Sequence, residues 1–266
     1  MRALEIRLVQ CKSATSPSRL PGLDRALNPY RGCSHRCAYC YAQDVTRFEL
    51  ERPWGEVVEV RTNIVQRLKK ELEKGPKGVY GIGTVTDAYQ HADREHELTR
   101  DCLRLLRRAH ARVSILTKSE LVLRDMDILS SWEGAEVGIS IGVPDDERAL
   151  TVEPGAPSPK RRFDALAKLT DAGIDSFLMA APILPGLSDR EDDLIGLVRM
   201  ASEAGVSRIM WDKFNPKPIA NKRLQRALLS RGIRPSPPHS GAEVQRIRAM
   251  LKSECDARKI DLVEAF

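Results

Sequence analysis

Three of the chain's six cysteines, Cys33, Cys37 and Cys40, fall within eight residues of one another in NPYRGCSHRCAYCYAQD. Thiols at C-x3-C-x2-C spacing on one loop can close around a centre the size of an iron–sulfur cluster. A 4Fe-4S cube held by four cysteines has every iron closed. With three ligands one iron is open to an exogenous molecule, and an open iron implies chemistry. A structural zinc ion competes for the same loop but wants four protein ligands. His35 is a candidate fourth, although it lies between the first two cysteines and no second C-x2-C knuckle occurs in the chain. The remaining alternative is packing as core thiols. Arg31, Ser34, His35 and Arg36 make this loop polar and argue against it. Cys11, Cys102 and Cys255 suit packing better, Cys102 sharing an apolar helix face with Leu98, Leu105 and Leu106.

Such a loop needs a frame to position it. Short apolar runs alternate with amphipathic stretches after it, the pattern of a parallel α/β protein. Strands are expected at Val79 to Gly83, Val113 to Thr117, Glu136 to Ile141, Ser176 to Ala181 and Arg208 to Phe214, with one more from Ala26 to Tyr30 before the cysteines. A helix is expected over Thr62 to Lys74, where Ile64, Val65, Leu68 and Leu72 share a face, and another carries Leu194, Leu197, Val198 and Ala201. Capping-box spacing in Ser188–Glu191 and Ser240–Glu243, and Pro159 after Ser158, set helix starts near 189, 241 and 159. Six β/α units are too few for a closed eight-stranded barrel but suit a partial (β/α)6 TIM-like barrel with parallel strands, here a single domain. The proline-rich stretch from Pro216 to Pro238 encloses a helical-looking KRLQRALLS segment and reads as an excursion within that domain. Functional groups then belong on the loops at the carboxyl ends of the strands. These are the cysteine loop, Thr84 to Gln90, Thr117 to Ser119, Ser140, the 143–159 loop with Glu153, and the 182–188 and 212–218 loops.

With 266 residues, 42% hydrophobic and 30% charged, the chain is long enough for a sizeable core, and its composition excludes collagen-like or mostly disordered classes. No run approaches the roughly 18 apolar residues of a membrane helix. Arg2, Glu5 and Arg7 interrupt the opening MRALEIRLVQ where a signal peptide needs apolar continuity, so a cytoplasmic location is expected. The net charge of +6 permits a polyanionic partner such as nucleic acid, or a solvated surface only. The charges are dispersed apart from short runs such as Lys160-Arg161-Arg162.

The cysteine loop, with Tyr39 just before its last cysteine, resembles the signature of radical S-adenosylmethionine enzymes. NPYRGCSHRCAYCYAQD, TDAYQ, EPGAPSPKRR followed by LTDAGI, and APILPGLSD are similar to the spore photoproduct lyase-like branch of that superfamily over about residues 25–220, leaving about 221–266 as a C-terminal extension. The resemblance implies a 4Fe-4S cluster on Cys33, Cys37 and Cys40 and S-adenosylmethionine bound at the open iron. One-electron reduction by a reductase or ferredoxin-type donor cleaves that molecule to a 5′-deoxyadenosyl radical, which abstracts hydrogen from a substrate. It also implies Tyr39 near the adenine, Lys118 near the methionine carboxylate, Ser140 as a further polar contact to that cofactor, and Tyr41 in relaying a hydrogen atom. The alternatives are that Lys118 is a solvent-facing strand end, Ser140 a small packing residue and Tyr41 a packed aromatic. One departure stands out: Thr84 occupies the position of the branch's hydrogen-donating cysteine, three residues before Asp87, and a hydroxyl is a much poorer hydrogen-atom donor than a thiol. Thymine-dimer repair itself is therefore not expected. Asp87, Tyr89 and Gln90 are candidate contacts near the cavity, with helix capping the alternative for Asp87. The competing function is a zinc-stabilised nucleic-acid-binding module without catalysis.

Overall fold

The computed structural model describes residues 4–265. Its strands are β1 (Glu5–Val9), β2 (Thr15–Pro17), β3 (Arg25–Leu27), β4 (Tyr30–Arg31), β5 (Val57–Arg61), β6 (Val79–Ile82), β7 (Arg112–Thr117), β8 (Ala135–Ser140), β9 (Ser176–Ile183), β10 (Arg208–Lys213) and β11 (Asp261–Glu264). Its helices are α1 (Ala42–Thr46), α2 (Ile64–Leu72), α3 (Asp93–His96), α4 (Leu98–Arg108), α5 (Met126–Leu129), α6 (Asp146–Val152), α7 (Pro159–Asp171), α8 (Glu191–Glu203), α9 (Pro218–Leu229) and α10 (Gly241–Ala257).

The main sheet runs β11-β10-β9-β8-β7-β6-β3-β2, parallel throughout except for the antiparallel β2–β3 edge. Its ends do not pair with each other, so the barrel is partial and open as expected, with β11 added as a seventh parallel strand to the six expected ones. Alternation along the strands builds two apolar layers. Ile139, Leu178, Ala180, Ile209 and Trp211 face the helices and join Leu166, Leu169, Leu194, Leu197, Ile247 and Leu251 in the main core. Phe177, Met179 and Ala265 form a smaller cluster with Met210 packed against it. Each fully buried Leu or Ile contributes about 1.5–3 kcal/mol to this packing.

Several expectations shift. The strand expected over Ala26 to Tyr30 is two strands in different sheets, β3 in the main sheet and β4 in a second sheet of order β1-β5-β4. The break falls at Asn28-Pro29. Pro29 has no N–H for a ladder, and the Asn28 side chain is taken up by Thr84 and Val85. The expected cap at Ser188 is absent: its hydroxyl accepts from the Leu184 N–H at 3.0 Å, and α8 begins later, after Arg190. Ser158 does cap α7 with Pro159 in its first turn, and Ser240 and Glu243 form the expected capping box on α10. The helical reading of KRLQRALLS is α9.

Candidate active site

The cysteine loop leaves β4 through Gly32, at φ +77°, where an added Cβ would stand 2.2 Å from the Val57 carbonyl oxygen; only glycine fits. Turns are then closed by Arg36 N–H to the Cys33 oxygen (3.3 Å) and Cys40 N–H to the Cys37 oxygen (3.2 Å). Three neighbours hold the loop. From the segment after β6, Gln90 Oε1 accepts from Ser34 N–H at 2.8 Å, while its Nε2 and the Thr86 hydroxyl both donate to the Gly32 oxygen. From the segment after β8, Val152 accepts from Ala38 N–H at 2.7 Å and Gly155 N–H donates to the His35 oxygen at 3.0 Å. Gly155 lies so close that a Cβ there would sit 2.1 Å from the Ser34 oxygen. From α9, Arg223 donates to the oxygens of Ala38 and Cys40.

Cys33 and Cys37 are buried, Cys40 is half-buried, and all three are free thiols. Burial pushes each thiol up, Cys37 to about 12, with Lys118 and Arg162 opposing the rise at Cys37 and Arg223 and Lys118 opposing it at Cys40. A metal must therefore displace their protons, which a cationic centre does readily. Among the described residues no three His, Cys, Asp or Glu side chains converge on a single-ion site. His35 is buried, with Nδ1 3.2 Å from Asp87 Oδ2.

Lys118, at the end of β7, donates from Nζ to Ser140 Oγ at 3.0 Å, and its ammonium lies 5.5 Å from the Tyr39 ring centre. Glu153 ties these residues together. It accepts from the Tyr39 hydroxyl, pairs with Arg162 Nη2 at 2.5 Å, and stands 4.0 Å from Lys118 Nζ. Arg162 Nη1 also donates to the Ser140 carbonyl at 3.1 Å. Burial pulls the Lys118 ammonium down, but Cys37 and Glu153 outweigh it and hold its pKa above the ordinary value. Burial pushes the Glu153 carboxyl up, but Arg162 and Lys118 prevail and hold it below the usual range. Tyr39, Lys118 and Ser140 thus meet beside the thiols in one buried polar network.

Tyr41 stands apart from that network, 38% exposed, its hydroxyl donating to the Thr84 carbonyl at 2.5 Å. Both line a cavity of about 840 Å³ that Asn28, Arg31, Arg61 and Lys12 also line. The Thr84 hydroxyl is engaged by Asn28 Nδ2 at 3.0 Å. Asp87 and Gln90 brace the site rather than line this cavity: Asp87 accepts from the Thr117 hydroxyl, Lys118 N–H and Tyr89 N–H. Tyr89 belongs to the main core.

Sequence reasoning missed Arg162 and Arg223 and treated Glu153 only as a loop residue. Lys160-Arg161-Arg162 stands out in the sequence only as a short basic run, yet Arg162 is 1% exposed. The signal was there: Pro159, Arg162, Phe163 and Leu166 share one face of α7 and are all buried.

A family model described as the radical SAM superfamily matches residues 27–198. An uncharacterised protein of Methanocaldococcus jannaschii is 36% identical over 188 residues, 71% of each chain. An uncharacterised protein of Mycobacterium tuberculosis is 33% identical over 216 residues, 75% of this chain and 63% of its own. Among solved structures, a spore photoproduct lyase complexed with dinucleoside spore photoproduct superposes with a TM-score of 0.77 at 14% identity, covering 98% of this chain and 82% of the other. Streptococcus suis SuiB bound to S-adenosylmethionine gives 0.57 at 13% identity, covering 99% and 50%.

Proposed function

The chain belongs to the radical SAM superfamily, and from that premise we propose that residues 1–266 form one radical SAM domain, its core at about 25–220, acting on nucleic acid in the cytoplasm. It is a radical SAM enzyme whose cofactors are a 4Fe-4S cluster and S-adenosylmethionine. When bound and reduced by one electron from a reductase or ferredoxin-type donor, these supply a 5′-deoxyadenosyl radical that abstracts hydrogen from the substrate. Cys33, Cys37 and Cys40 hold the cluster. Lys118 would offer its ammonium to the methionyl carboxylate as a point charge, exchanging a neutral hydroxyl acceptor, Ser140 Oγ, for an ionised one. Ser140 Oγ, which also donates to the Ala181 carbonyl at 3.3 Å, would then offer its lone pairs to a donor of the same ligand. Tyr39, fixed through Glu153, forms a wall against the adenine. Tyr41 faces the substrate side and takes part in hydrogen relay there.

The observation that carries this reading is the buried junction of three free thiols with Lys118, Ser140 and Tyr39. The nucleic-acid assignment rests on the cavity beside Tyr41. Its volume is within the range of small-ligand sites, and Lys12, Arg31 and Arg61 line it. A spore photoproduct lyase binds a dinucleoside photoproduct on a similar fold. The reaction here differs from dimer repair, because Thr84 offers a hydroxyl already bonded to Asn28.

Anaerobic reconstitution with iron and sulfide, followed by dithionite and S-adenosylmethionine, is expected to yield 5′-deoxyadenosine and a reduced-cluster electron paramagnetic resonance signal. Cys37→Ala abolishes both. Full activity in that variant, or stoichiometric zinc with no nucleoside from the wild type, overturns the assignment.

A further inference from the structure

The segment after residue 217 reaches back to the cysteine loop through a reciprocal clamp. Asp44, on α1 just beyond the last cysteine, accepts from Ile219 N–H at 2.8 Å and Ala220 N–H at 3.0 Å, capping α9 from outside. In return α9 sends Arg223 into the loop, where Nε donates to the Ala38 oxygen at 2.9 Å, Nη2 to the Cys40 oxygen at 2.5 Å and Nη1 to Gln43 Oε1 at 2.9 Å. The guanidinium is half-buried and also faces the Trp54 ring, 5.6 Å from its centre. Carbonyl and amide oxygens are its hydrogen-bond partners, and it forms no ion pair among the described residues. A guanidinium stays charged at any physiological pH. Asp44 is nearby without pairing directly, so the charge is only partly offset beside two of the three thiols, Cys37 and Cys40.

We propose that Arg223 is a positioning residue that sets the reduction potential of the cluster: it orients the backbone of the cysteine loop and lends a fixed positive charge to the reduced state. This rests on the assignment of Cys33, Cys37 and Cys40 as cluster ligands. Reduction adds one negative charge to the cluster, and a nearby partly desolvated cation stabilises that form over the oxidised one. Arg162 and Lys118 add a further positive charge near Cys37, because Glu153 cancels only one of the two, and that contribution stays constant across the Arg223 variants. Asp44 works in the opposite sense, as a negative group near Cys40.

The test is a redox titration of the reconstituted holoprotein, followed by electron paramagnetic resonance, with iron and sulfide assayed for every variant. Arg223→Gln, which keeps donors but not charge, lowers the midpoint potential enough to reduce the reduced-to-oxidised ratio at fixed poise by about tenfold, or ~59 mV for one electron. Arg223→Lys stays near the wild type. Asp44→Asn, which retains a capping oxygen, moves the midpoint the other way. A fully loaded Arg223→Gln protein with the wild-type midpoint overturns the proposal, and so does an Arg223→Lys shift as large as that of Arg223→Gln. If Arg223→Gln does not retain iron, Asp44→Asn decides: an upward shift supports the proposal, and no shift or a downward one overturns it. Failure of the ligand assignment shows separately, as wild-type iron and sulfide content in Cys37→Ala.

Discussion

Lys118 and Glu153 are an ammonium and a carboxylate held where water barely reaches, their side chains 16% and 0% exposed. At that depth each charge depends on its neighbours, so single substitutions read out the network. Glu153→Gln strands Arg162 and Lys118 without their shared counter-charge and is expected to cost about 3–5 kcal/mol of stability, measured by urea unfolding. The Glu153 carboxyl lies below its ordinary range, so its contribution is present above the unfolded value of about 4.3 and lost as the pH falls through the folded value. Wild-type stability should accordingly fall more steeply below about pH 4.3 than that of Glu153→Gln, and parallel acid limbs would remove Glu153 from the account. On the role proposed for Lys118, Lys118→Met removes a charge-assisted partner of the methionyl carboxylate. Calorimetric affinity for S-adenosylmethionine then drops by about 10- to 100-fold, the equivalent of ~1.5–3 kcal/mol. Unchanged affinity would reassign Lys118 to holding Ser140 alone.

Elements matter here mainly through the loops they deliver to one end of the sheet. The cysteine loop has almost no regular structure of its own, and it is held by backbone bonds from Val152 and Gly155, side chains of Thr86 and Gln90, and Arg223 of α9. Gly155 is the tightest of these contacts. Gly155→Ala forces the two loops apart, with the expectation of reduced cluster content and a lowered melting temperature; an unchanged iron content would show that the loop stands without that brace. At the far end of the chain, the Ser240–Glu243 capping box starts α10, whose Ile247, Leu251 and Cys255 pack into the main core. Ser240→Ala is expected to cost about 1 kcal/mol in unfolding free energy with no effect on cofactor binding, since it touches only the helix terminus.

At the scale of the molecule, the open barrel leaves a cavity on the β2–β3 side, next to Tyr41 and beneath the basic side chains of the small sheet. Arg61 lines it. Its Nη1 donates to the Asn28 carbonyl at 3.1 Å, and burial lowers its pKa from the ordinary arginine value. A phosphate arriving there would meet a cation already positioned and partly stripped of water. Arg61→Gln is therefore expected to weaken binding of single-stranded DNA or RNA by fluorescence anisotropy, and to reduce the slope of log affinity against log salt by about 1. A slope identical to the wild type would take this cavity off the nucleic-acid path. Among the described residues no helix is long and apolar enough to cross a membrane.

Local pattern was enough for the α/β class, most of the barrel strands, the capping of α7 and α10, and the three thiols of the cysteine loop, because periodicity, caps and ligand spacing are properties of neighbouring residues. It was not enough for the split of the 26–30 run between two sheets, or for the β1-β5-β4 sheet and the β11 edge, since pairing partners lie tens of residues away. The charged residues divide in the same way. Lys118 and Ser140 were singled out from strand ends and resemblance, whereas Arg162 stood only within a short basic run and Arg223 within a helical-looking segment. Only the folded chain brings Arg162 to Glu153 and Arg223 to the carbonyls of Ala38 and Cys40. The physical reason is that a charge takes its role from the counter-charges, dipoles and solvent around it, and those are set by contacts between distant parts of the chain.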